Sequence, residues 1–368
     1  MASNPTVIIF VGGMEGSPVE EMVAAAHRAI ARDVIERVQA TGAFERVIVV
    51  TDGRGFEVGG SVAVEVEQGS FHFGRELYEI IHKYGLDRPF YIGGGCASLL
   101  SEVELAAIAR QLSMVTDSVI TNNFFSADLM AFTPGSAIES VDLPPRDNDL
   151  ARLLSQQAGL EPISLPRTAA TQLDVDTPTD LMVLALHPAT GHHLRAYLAT
   201  LDLDTTRLRQ ATSLFADRMA EVLVAGRVGS HLWAQLEQDT ACRVRVLSEE
   251  RGMAADGRES EGEVRSILGY YLEEVDPAHF FDTIAQLGDA AFIDTRVIFE
   301  HLGLDLSRSD RFLSDLGQTE EIENPFLREF TKAALGAPIP VALGAHSLVS
   351  GGLLALVEVG RETRLPGA

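Results

Sequence analysis

The chain has 368 residues, of which 46% are hydrophobic and 22% charged, and its formal net charge is −24. This apolar content excludes a disordered polymer, and no window of about 18 uncharged apolar residues is present to cross a bilayer. The strong negative charge argues against binding to nucleic acids or anionic membranes. Because only two of the 29 basic residues are lysines, we expect arginine, backbone amides or helix N-termini to bind any anion.

The two cysteines, Cys96 and Cys242, are too few for a disulfide framework and form no CxxC pair typical of zinc sites. No basic region precedes the first apolar run, so we expect no secretory signal. These features predict a cytoplasmic protein. They leave the oligomeric state open, a homo-oligomer included.

The first half of the chain alternates strand and helix patterns. Helical patterns are found at 17–42, 71–84 and 102–113. Short apolar runs predict buried strands at 7–11, 47–50, 90–92, 118–121 and 127–132. This β-α-β order predicts a mostly parallel sheet with helices on both faces, which binds ligands where its strands end in glycine-rich turns.

A change in composition at 187–191 predicts a domain boundary. We assign residues 1–190 to a first domain, 191–218 to a helical connector and 219–368 to a second α/β domain of unknown function. The second domain has predicted strands at 221–225, 243–247, 290–293 and 339–343, and a predicted surface loop at 248–263. We expect the two domains to form separate cores.

The most specific segment is the run DVDTPTDL at 174–181. Asp174 and Asp176 are two residues apart on an extended segment, so their side chains point the same way. Thr177 and Pro178 suit the N-cap and the first position of a helix. Carboxylates just before a helix can hold a divalent cation that bridges phosphate oxygens. The alternative interpretation is a helix start with solvated acids.

This run resembles the D-x-D-T-P-x-D-L ending of the MobA-like nucleotidyltransferases, which include molybdenum-cofactor nucleotidyltransferases, 2-phospholactate guanylyltransferases and sugar-phosphate cytidylyltransferases. Residues 92–100 fit the family's strand that ends in G-D-x-P-L-L, and residues 147–154 lie at the spacing of its helix before the last strand. The resemblance covers residues 5–190. It implies a nucleotide-diphospho-sugar transferase fold, a Rossmann-like α/β/α sandwich.

The resemblance also implies an activity, the transfer of NMP from an NTP to a small phosphorylated acceptor with Mg²⁺ and release of pyrophosphate. Asp176 would hold the Mg²⁺ ion, and Asp174 would support it. The residues that would bind the nucleotide are Gly12, Gly13, Gly95, Cys96 and Asn122.

The chain departs from the family pattern at two places. The arginine and lysine of the family's first loop are absent, and Glu15, Glu20 and Glu21 occupy this stretch. The metal-binding aspartate of G-D-x-P aligns with Cys96, and a neutral thiol is a poor Mg²⁺ ligand. The alternative function is therefore a catalytically diverged protein that kept the fold and binds a nucleotide or another small ligand.

Several polar residues allow a functional and a structural interpretation. Cys96 could be a nucleophile or a small buried residue, and Asn122 could contact a base or ribose or serve a loop. His192 and His193 suit a metal, but no third ligand lies at a suitable spacing, which favours surface histidines. Trp233 is predicted to lie in the core.

The second half contains three turns at strand ends that are candidate ligand sites, and the last of them suits a phosphate or carboxylate. Residues 224–230 follow a strand and open a helix like a dinucleotide fingerprint, but they lack its middle glycine, which favours a simple turn. Residues 294–296 and 344–352 lie at predicted strand ends, and the latter enters a helix through small residues.

Overall fold

The computed structural model describes residues 4–12, 16–56, 58–59, 62–67 and 70–362. The chain divides into two compact units. Unit 1 is Met1–Met14, Ala24–Asp174 and Gly191–Leu194, and unit 2 is Glu15–Val23, Val175–Thr190 and Arg195–Ala368. Residues 175–190, predicted as the end of the first domain, belong to unit 2. The separate cores predicted for the two domains stay a prediction. In the described part of the chain, no helix combines the length and apolarity that crossing a membrane requires.

Unit 1 contains a seven-stranded sheet. Its strands are β1 (Thr6–Val11), β2 (Arg46–Thr51), β3 (Val62–Val66), β4 (Pro89–Gly93), β5 (Ser118–Thr121), β6 (Leu129–Thr133) and β7 (Glu161–Ser164). Their order is β3-β2-β1-β4-β6-β5-β7, in which only β6 is antiparallel to its neighbours. The first residue of β6 therefore lies at the edge where β1, β4 and β5 end.

The helices up to residue 172 are α1 (Pro18–Thr41), α2 (Phe73–Tyr84), α3 (Glu102–Met114), α4 (Leu150–Ala158) and α5 (Ala169–Gln172). The strands and helices predicted in this half are present, with ends shifted by a few residues. The strands β3 and β7 were missed because they are the partly exposed edge strands, which lack a continuous apolar run.

Both faces of the first sheet are covered. Strand β1 is buried along its whole length. Ile8 and Phe10 belong to a core cluster that includes Leu77 of α2 and Leu150 of α4. The intervening Ile9 points to the opposite face and is only 1% exposed. The α/β class predicted for this half is therefore confirmed.

Unit 2 contains a four-stranded parallel sheet. Its strands are β8 (Glu221–Gly226), β9 (Arg243–Ser248), β10 (Ala290–Asp294) and β11 (Val341–Gly344). They pair in the order β11-β10-β8-β9. The strand predicted at 221–225 therefore begins a second sheet, and the α/β pattern predicted for this half is present.

The helices after residue 177 are α6 (Pro178–Leu186), α7 (His192–Leu198), α8 (Thr206–Ser213), α9 (Ser230–Asp239), α10 (Ile267–Glu274), α11 (Pro277–Leu287), α12 (Thr295–His301), α13 (Arg308–Leu316), α14 (Pro325–Gly336) and α15 (Leu353–Glu362). The predicted surface loop at 248–263 consists of turns after the end of β9.

The predicted helical connector contains the helices α7 and α8, and Asp204 Oδ1 accepts a hydrogen bond from Thr206 N at 2.9 Å at the start of the second. One local prediction in this half was wrong. Trp233 is 51% exposed, since α9 buries Leu232 and Leu236 and turns the tryptophan outward.

Candidate functional site

Loops from three strands meet at one edge of the first sheet. The backbone N–H of Gly93, at the end of β4, donates to Asp128 O at 2.8 Å. The N–H of Asn122, just after β5, donates to Leu129 O at 3.1 Å. The turn after β4 is therefore held beside the start of β6 and the end of β5, at the edge where parallel sheets bind ligands.

Three side chains with metal-ligand atoms converge at this edge: Cys96, Asp128 and Asp174. The Cys96 Sγ and one oxygen of each carboxylate all lie within 4.8 Å of one another. Cys96 is 3% exposed, whereas both aspartates are partly exposed and open to a ligand. We call these three residues the acidic cluster. Cys96 and Asp174 were predicted from the sequence, whereas Asp128 was not, because nothing in the sequence reveals the reversed direction of β6.

The thiol of Cys96 is held in its neutral form. Burial and the carboxylates of Asp174, Asp128 and Asp147 raise the pKa of Cys96 well above its usual value. A neutral, buried thiol is neither a good nucleophile nor a thiolate ligand. The segment after it is anchored by Arg37 of α1, whose guanidinium donates to Ser98 O at 2.8 Å. Cys96 therefore fits the structural interpretation of a small buried residue.

A tyrosine–aspartate pair adds a third carboxylate close to the acidic cluster. Tyr91 of β4 donates its hydroxyl hydrogen to Asp147 Oδ2 at 2.8 Å. The tyrosine ring packs edge-on against Phe10 and Phe73, with centroids 5.4 and 4.9 Å away. Burial raises the pKa of Asp147, and burial together with Asp147 raises the pKa of Tyr91. Tyr91 thus fixes the position of a carboxylate that sequence spacing did not assign to the site.

Of the predicted glycines, Gly12 follows β1 and Gly95 lies in the turn after β4. A Cβ atom at Gly12 would stand 3.3 Å from the Asp52 side chain, so this side chain lies against Gly12. Gly13 lies outside the described residues. Gly95 is buried in the turn after β4, where its neighbour Gly94 leaves no room for a side chain because a Cβ there would meet Phe10 O at 2.9 Å.

Both polar atoms of the buried Asn122 side chain form hydrogen bonds to backbone groups of the protein. Its Nδ2 donates to Thr171 O at 3.1 Å, and its Oδ1 accepts from Leu129 N at 3.2 Å. These contacts agree with the structural interpretation, since they join β5, the start of β6 and α5. A contact between Asn122 and a base or ribose stays a prediction.

The start of α6 is built as the sequence predicted. Thr177 is the N-cap and Pro178 the first helical residue. Asp180 Oδ2 accepts hydrogen bonds from Thr177 N and Oγ1, each 2.9 Å, and from Asp176 N at 3.1 Å. Asp176 itself is exposed, lies in unit 2, and belongs to neither group of potential metal ligands that the described residues form. Its role as a Mg²⁺ ligand therefore stays a prediction.

The buried Asp180 predicts a pH-dependent stability. Burial and the nearby Asp176 raise the pKa of Asp180 to about 7. In the unfolded chain an aspartate titrates near about 3.9, so the folded protein holds the extra proton between these values and loses stability as the pH rises from 4 to 7. The difference in unfolding free energy between Asp180→Asn and wild type should therefore shift in favour of the variant by about 2 kcal/mol from pH 5 to pH 8. Denaturant unfolding at both pH values measures it.

A second variant serves as the control for this measurement. Asp180→Ala removes the same titration but also the cap, so its pH trend should match that of Asp180→Asn with a constant loss of about 1 kcal/mol added. A difference between wild type and both variants that does not change with pH would contradict the buried, proton-holding carboxyl group.

Charged side chains are also paired at the strand ends of the second sheet. Asp294, the fully buried last residue of β10, accepts hydrogen bonds from Arg227 Nε at 2.6 Å and Nη2 at 3.1 Å. Gly226 has φ 117°, and a Cβ there would collide with Asp294. Arg296 makes a similar two-point pair with Asp315, at 3.0 and 2.6 Å. Because these arginines are neutralised within the fold, the turns at 224–230 and 294–296 fit the structural interpretation.

No protein-family model and no curated protein sequence matches the chain. Solved structures do resemble its backbone over about half of its length. A protein of Desulfovibrio desulfuricans G20 assigned to the nucleotide-diphospho-sugar transferases is 16% identical, with 55% of this chain and 100% of that chain covered and a TM-score of 0.39. A cytidylyltransferase from Leptospira borgpetersenii is 15% identical, with 50% and 86% covered and a TM-score of 0.39. CMP:2-keto-3-deoxy-manno-octonic acid synthetase in complex with CTP is 16% identical, with 49% and 95% covered and a TM-score of 0.35.

Proposed function

We propose that the protein is a metal-dependent nucleotidyltransferase that moves NMP from an NTP to a small phosphorylated acceptor. The observation that carries the proposal is the convergence of Asp128 and Asp174 beside Cys96 at the strand-end edge of the first sheet. Proteins bind Mg²⁺ through one or two carboxylates together with substrate phosphates, so these two residues fit the ion. Mg²⁺ bound there would neutralise charge on the phosphate oxygens.

In this proposal Asp128 replaces the carboxylate that the sequence lacks at Cys96. The neutral thiol of Cys96 fills the strand end without adding a charge, so two partly exposed carboxylates remain as oxygen ligands. Asp176, on the same sequence run as Asp174, stays the second candidate ligand from the resemblance. The backbone amides of Gly12 and Gly95 would lie against the nucleotide.

In the proposed reaction the protein positions the two substrates and neutralises their negative charge, and it transfers no proton. An oxygen of the acceptor phosphate attacks the α-phosphorus of the NTP, the bond from that phosphorus to the bridging oxygen of the β-phosphate breaks, and pyrophosphate leaves. Because a phosphate oxygen is already deprotonated near neutral pH, no general base is needed. This requirement agrees with a site made of carboxylates and a neutral thiol.

A diverged ligand-binding protein is the second candidate, and the position of Asp52 favours it. Its side chain lies against Gly12, where its negative charge would repel a triphosphate. Residues 10–21 also contain no arginine or lysine to offset that charge.

The two candidates differ in their response to metal and acceptor. Thermal-shift measurements with each NTP, with and without Mg²⁺, should show metal-dependent stabilisation for the enzyme, followed by pyrophosphate release when a phosphorylated acceptor is added. Stabilisation that does not depend on Mg²⁺, with no pyrophosphate formed, would support the binding protein. Absence of stabilisation by any NTP would contradict the enzyme and would restrict the second candidate to a ligand other than a nucleoside triphosphate.

Cys96→Asp tests the metal position directly. The new carboxylate lies beside two others, so without metal it should lower the melting temperature, because close like charges repel in a buried place. With Mg²⁺ the variant should recover stability and bind the NTP more tightly than wild type, by about 1–3 kcal/mol, since the ion gains an oxygen ligand. Calorimetric titration with Mg-NTP and melting curves on the same variant measure both effects.

Cys96→Ser is the matched control, since it keeps the size and neutrality of the thiol. It should behave as wild type in both measurements. A Cys96→Asp variant that melts normally and gains no metal-dependent affinity would show that the metal does not bind at this strand end.

A further inference from the structure

A second group of potential metal ligands lies in unit 1, away from the residues discussed for the nucleotide. It consists of Asp33, Glu36, His192 and His193, and one ligand atom of each lies within 4.8 Å of the others. Asp33 and Glu36 are three residues apart on α1 and so share one face of that helix. The two histidines were interpreted as surface residues because the sequence offered no third ligand nearby. The fold supplies two, from a helix about 160 residues earlier in the chain.

The distances between these side chains suit a tetrahedral ion. His192 Nδ1 lies 3.4 Å from Glu36 Oε2 and 3.6 Å from Asp33 Oδ1. His193 Nε2 lies 2.9 Å from Glu36 Oε1. Metal–ligand bonds of about 2.0–2.1 Å at tetrahedral angles place neighbouring ligand atoms about 3.3 Å apart. An ion bound among these atoms would therefore need only small movements of the side chains.

The inner carboxylate of this group is rigidly placed. Asp33 is 3% exposed, and its two oxygens accept hydrogen bonds from His193 N and Leu194 N, each at 2.9 Å. Gly191 is required beside it, because a Cβ there would collide with the Asp33 carboxylate. A carboxylate oxygen has two lone pairs, so Asp33 Oδ1 can accept one N–H and still face an ion. Fixing of a ligand by such hydrogen bonds is common in metal sites.

The outer side of the group is open. The side chains of His192 and Glu36 are 69% and 53% exposed, which gives an ion a path from solvent. Imidazole nitrogens together with carboxylates are ligands of zinc and similar transition-metal ions, whereas Mg²⁺ prefers oxygen ligands alone. The chemistry of the group therefore differs from that of the acidic cluster.

We propose that Asp33, Glu36, His192 and His193 bind one Zn²⁺ ion, or a divalent transition-metal ion of similar preference, and that this ion fastens residues 191–194 to α1. Hydrogen bonds within the chain already hold His193 and Leu194 against Asp33 and Glu36. Binding therefore orders few additional groups and raises the stability of unit 1 by mass action.

Titration of the metal-free protein with ZnCl₂ tests the proposal, by calorimetry and against a chromophoric chelator. We expect one equivalent of Zn²⁺ to bind to wild type and to raise the melting temperature, and equal concentrations of Mg²⁺ to do neither at this site. The His192→Ala/His193→Ala double variant should bind Zn²⁺ at least about tenfold more weakly. The backbone hydrogen bonds to Asp33 survive this change, so its melting curve without metal should match that of wild type.

Three further variants make the result specific. Glu36→Gln removes a ligand on the other segment and should also weaken Zn²⁺ binding. His279→Ala removes an exposed histidine of unit 2 and should bind Zn²⁺ as wild type does. Cys96→Ser, in the acidic cluster, should also bind Zn²⁺ as tightly as wild type does. Wild type that binds no Zn²⁺ at micromolar concentration, or a double variant that binds it as tightly as wild type, would overturn the proposal.

Discussion

Asp128→Asn and Asp174→Asn are each expected to lower Mg²⁺-dependent turnover by about 100-fold or more. Each change removes one of two carboxylate charges from the proposed metal position, and a bound metal supplies several kcal/mol of charge stabilisation in phosphoryl transfer. A tenfold change in rate corresponds to about 1.4 kcal/mol, so a partial loss of this stabilisation is enough for the effect. Steady-state pyrophosphate release at saturating NTP measures it.

Stability without metal separates a lost ligand from a damaged fold. Either substitution removes a negative charge from a group of close carboxylates, so the variants should melt at or above the wild-type temperature in the absence of metal. Their stabilisation by Mg-NTP should be lost. Lys83→Ala, which removes an exposed partner of Glu65, should change neither turnover nor Mg-NTP binding.

The same assay tests Asp176, which the resemblance implies as the metal ligand. Asp176→Asn should abolish Mg²⁺-dependent turnover and weaken nucleotide binding if that assignment is right. Unchanged turnover in Asp176→Asn together with loss in Asp128→Asn would place the metal on Asp128 and Asp174 alone. Unchanged turnover in all three variants would refute the nucleotidyltransferase.

Asp294→Ala is expected to destabilise unit 2 by about 3–5 kcal/mol. The change leaves the Arg227 guanidinium, 17% exposed, without the carboxylate that binds it at two points. Loss of one partner of a buried ion pair strands an uncompensated charge, which is the costly case for such pairs. Denaturant unfolding followed by circular dichroism at pH 7 measures the change.

Two controls isolate the stranded charge. Glu221→Gln breaks the exposed pair with Arg245, whose side chain is 43% exposed, and should cost no more than about 1 kcal/mol. Arg227→Met in the Asp294→Ala background removes the stranded guanidinium and should restore much of the lost stability. A loss in Asp294→Ala as small as that in Glu221→Gln would show that Asp294 and Arg227 do not form a buried pair.

The regular elements were largely predictable because burial on both faces leaves a continuous apolar run in the sequence. The central strands β1, β4 and β10 carry such runs and were predicted at their observed positions. The edge strands β3 and β7 carry no such run, since half-exposed edges tolerate charged residues. Trp233 was misplaced because a single large apolar residue has no period that assigns it to a helix face.

The candidate site was predictable only in part. The run at 174–181 revealed Asp174 and the capped start of α6, since capping depends on residues within one turn. Asp128 was not found, because its place beside Cys96 depends on the reversed direction of β6. Asn122 was identified as a loop residue, but its two backbone partners are seven and 49 residues away in the chain.

The α/β class, the central strands and the capped helix starts follow from the amino-acid order alone, because local periodicity and capping chemistry act over a few residues. The tertiary fold is needed to bring distant charged residues together. It joins Asp128 to Cys96 and Asp174, buries Asp294 against Arg227, and sets Asp33 and Glu36 beside His192 and His193. These groupings depend on strand order and strand direction, which the free energy of the whole packed chain selects and no short segment encodes.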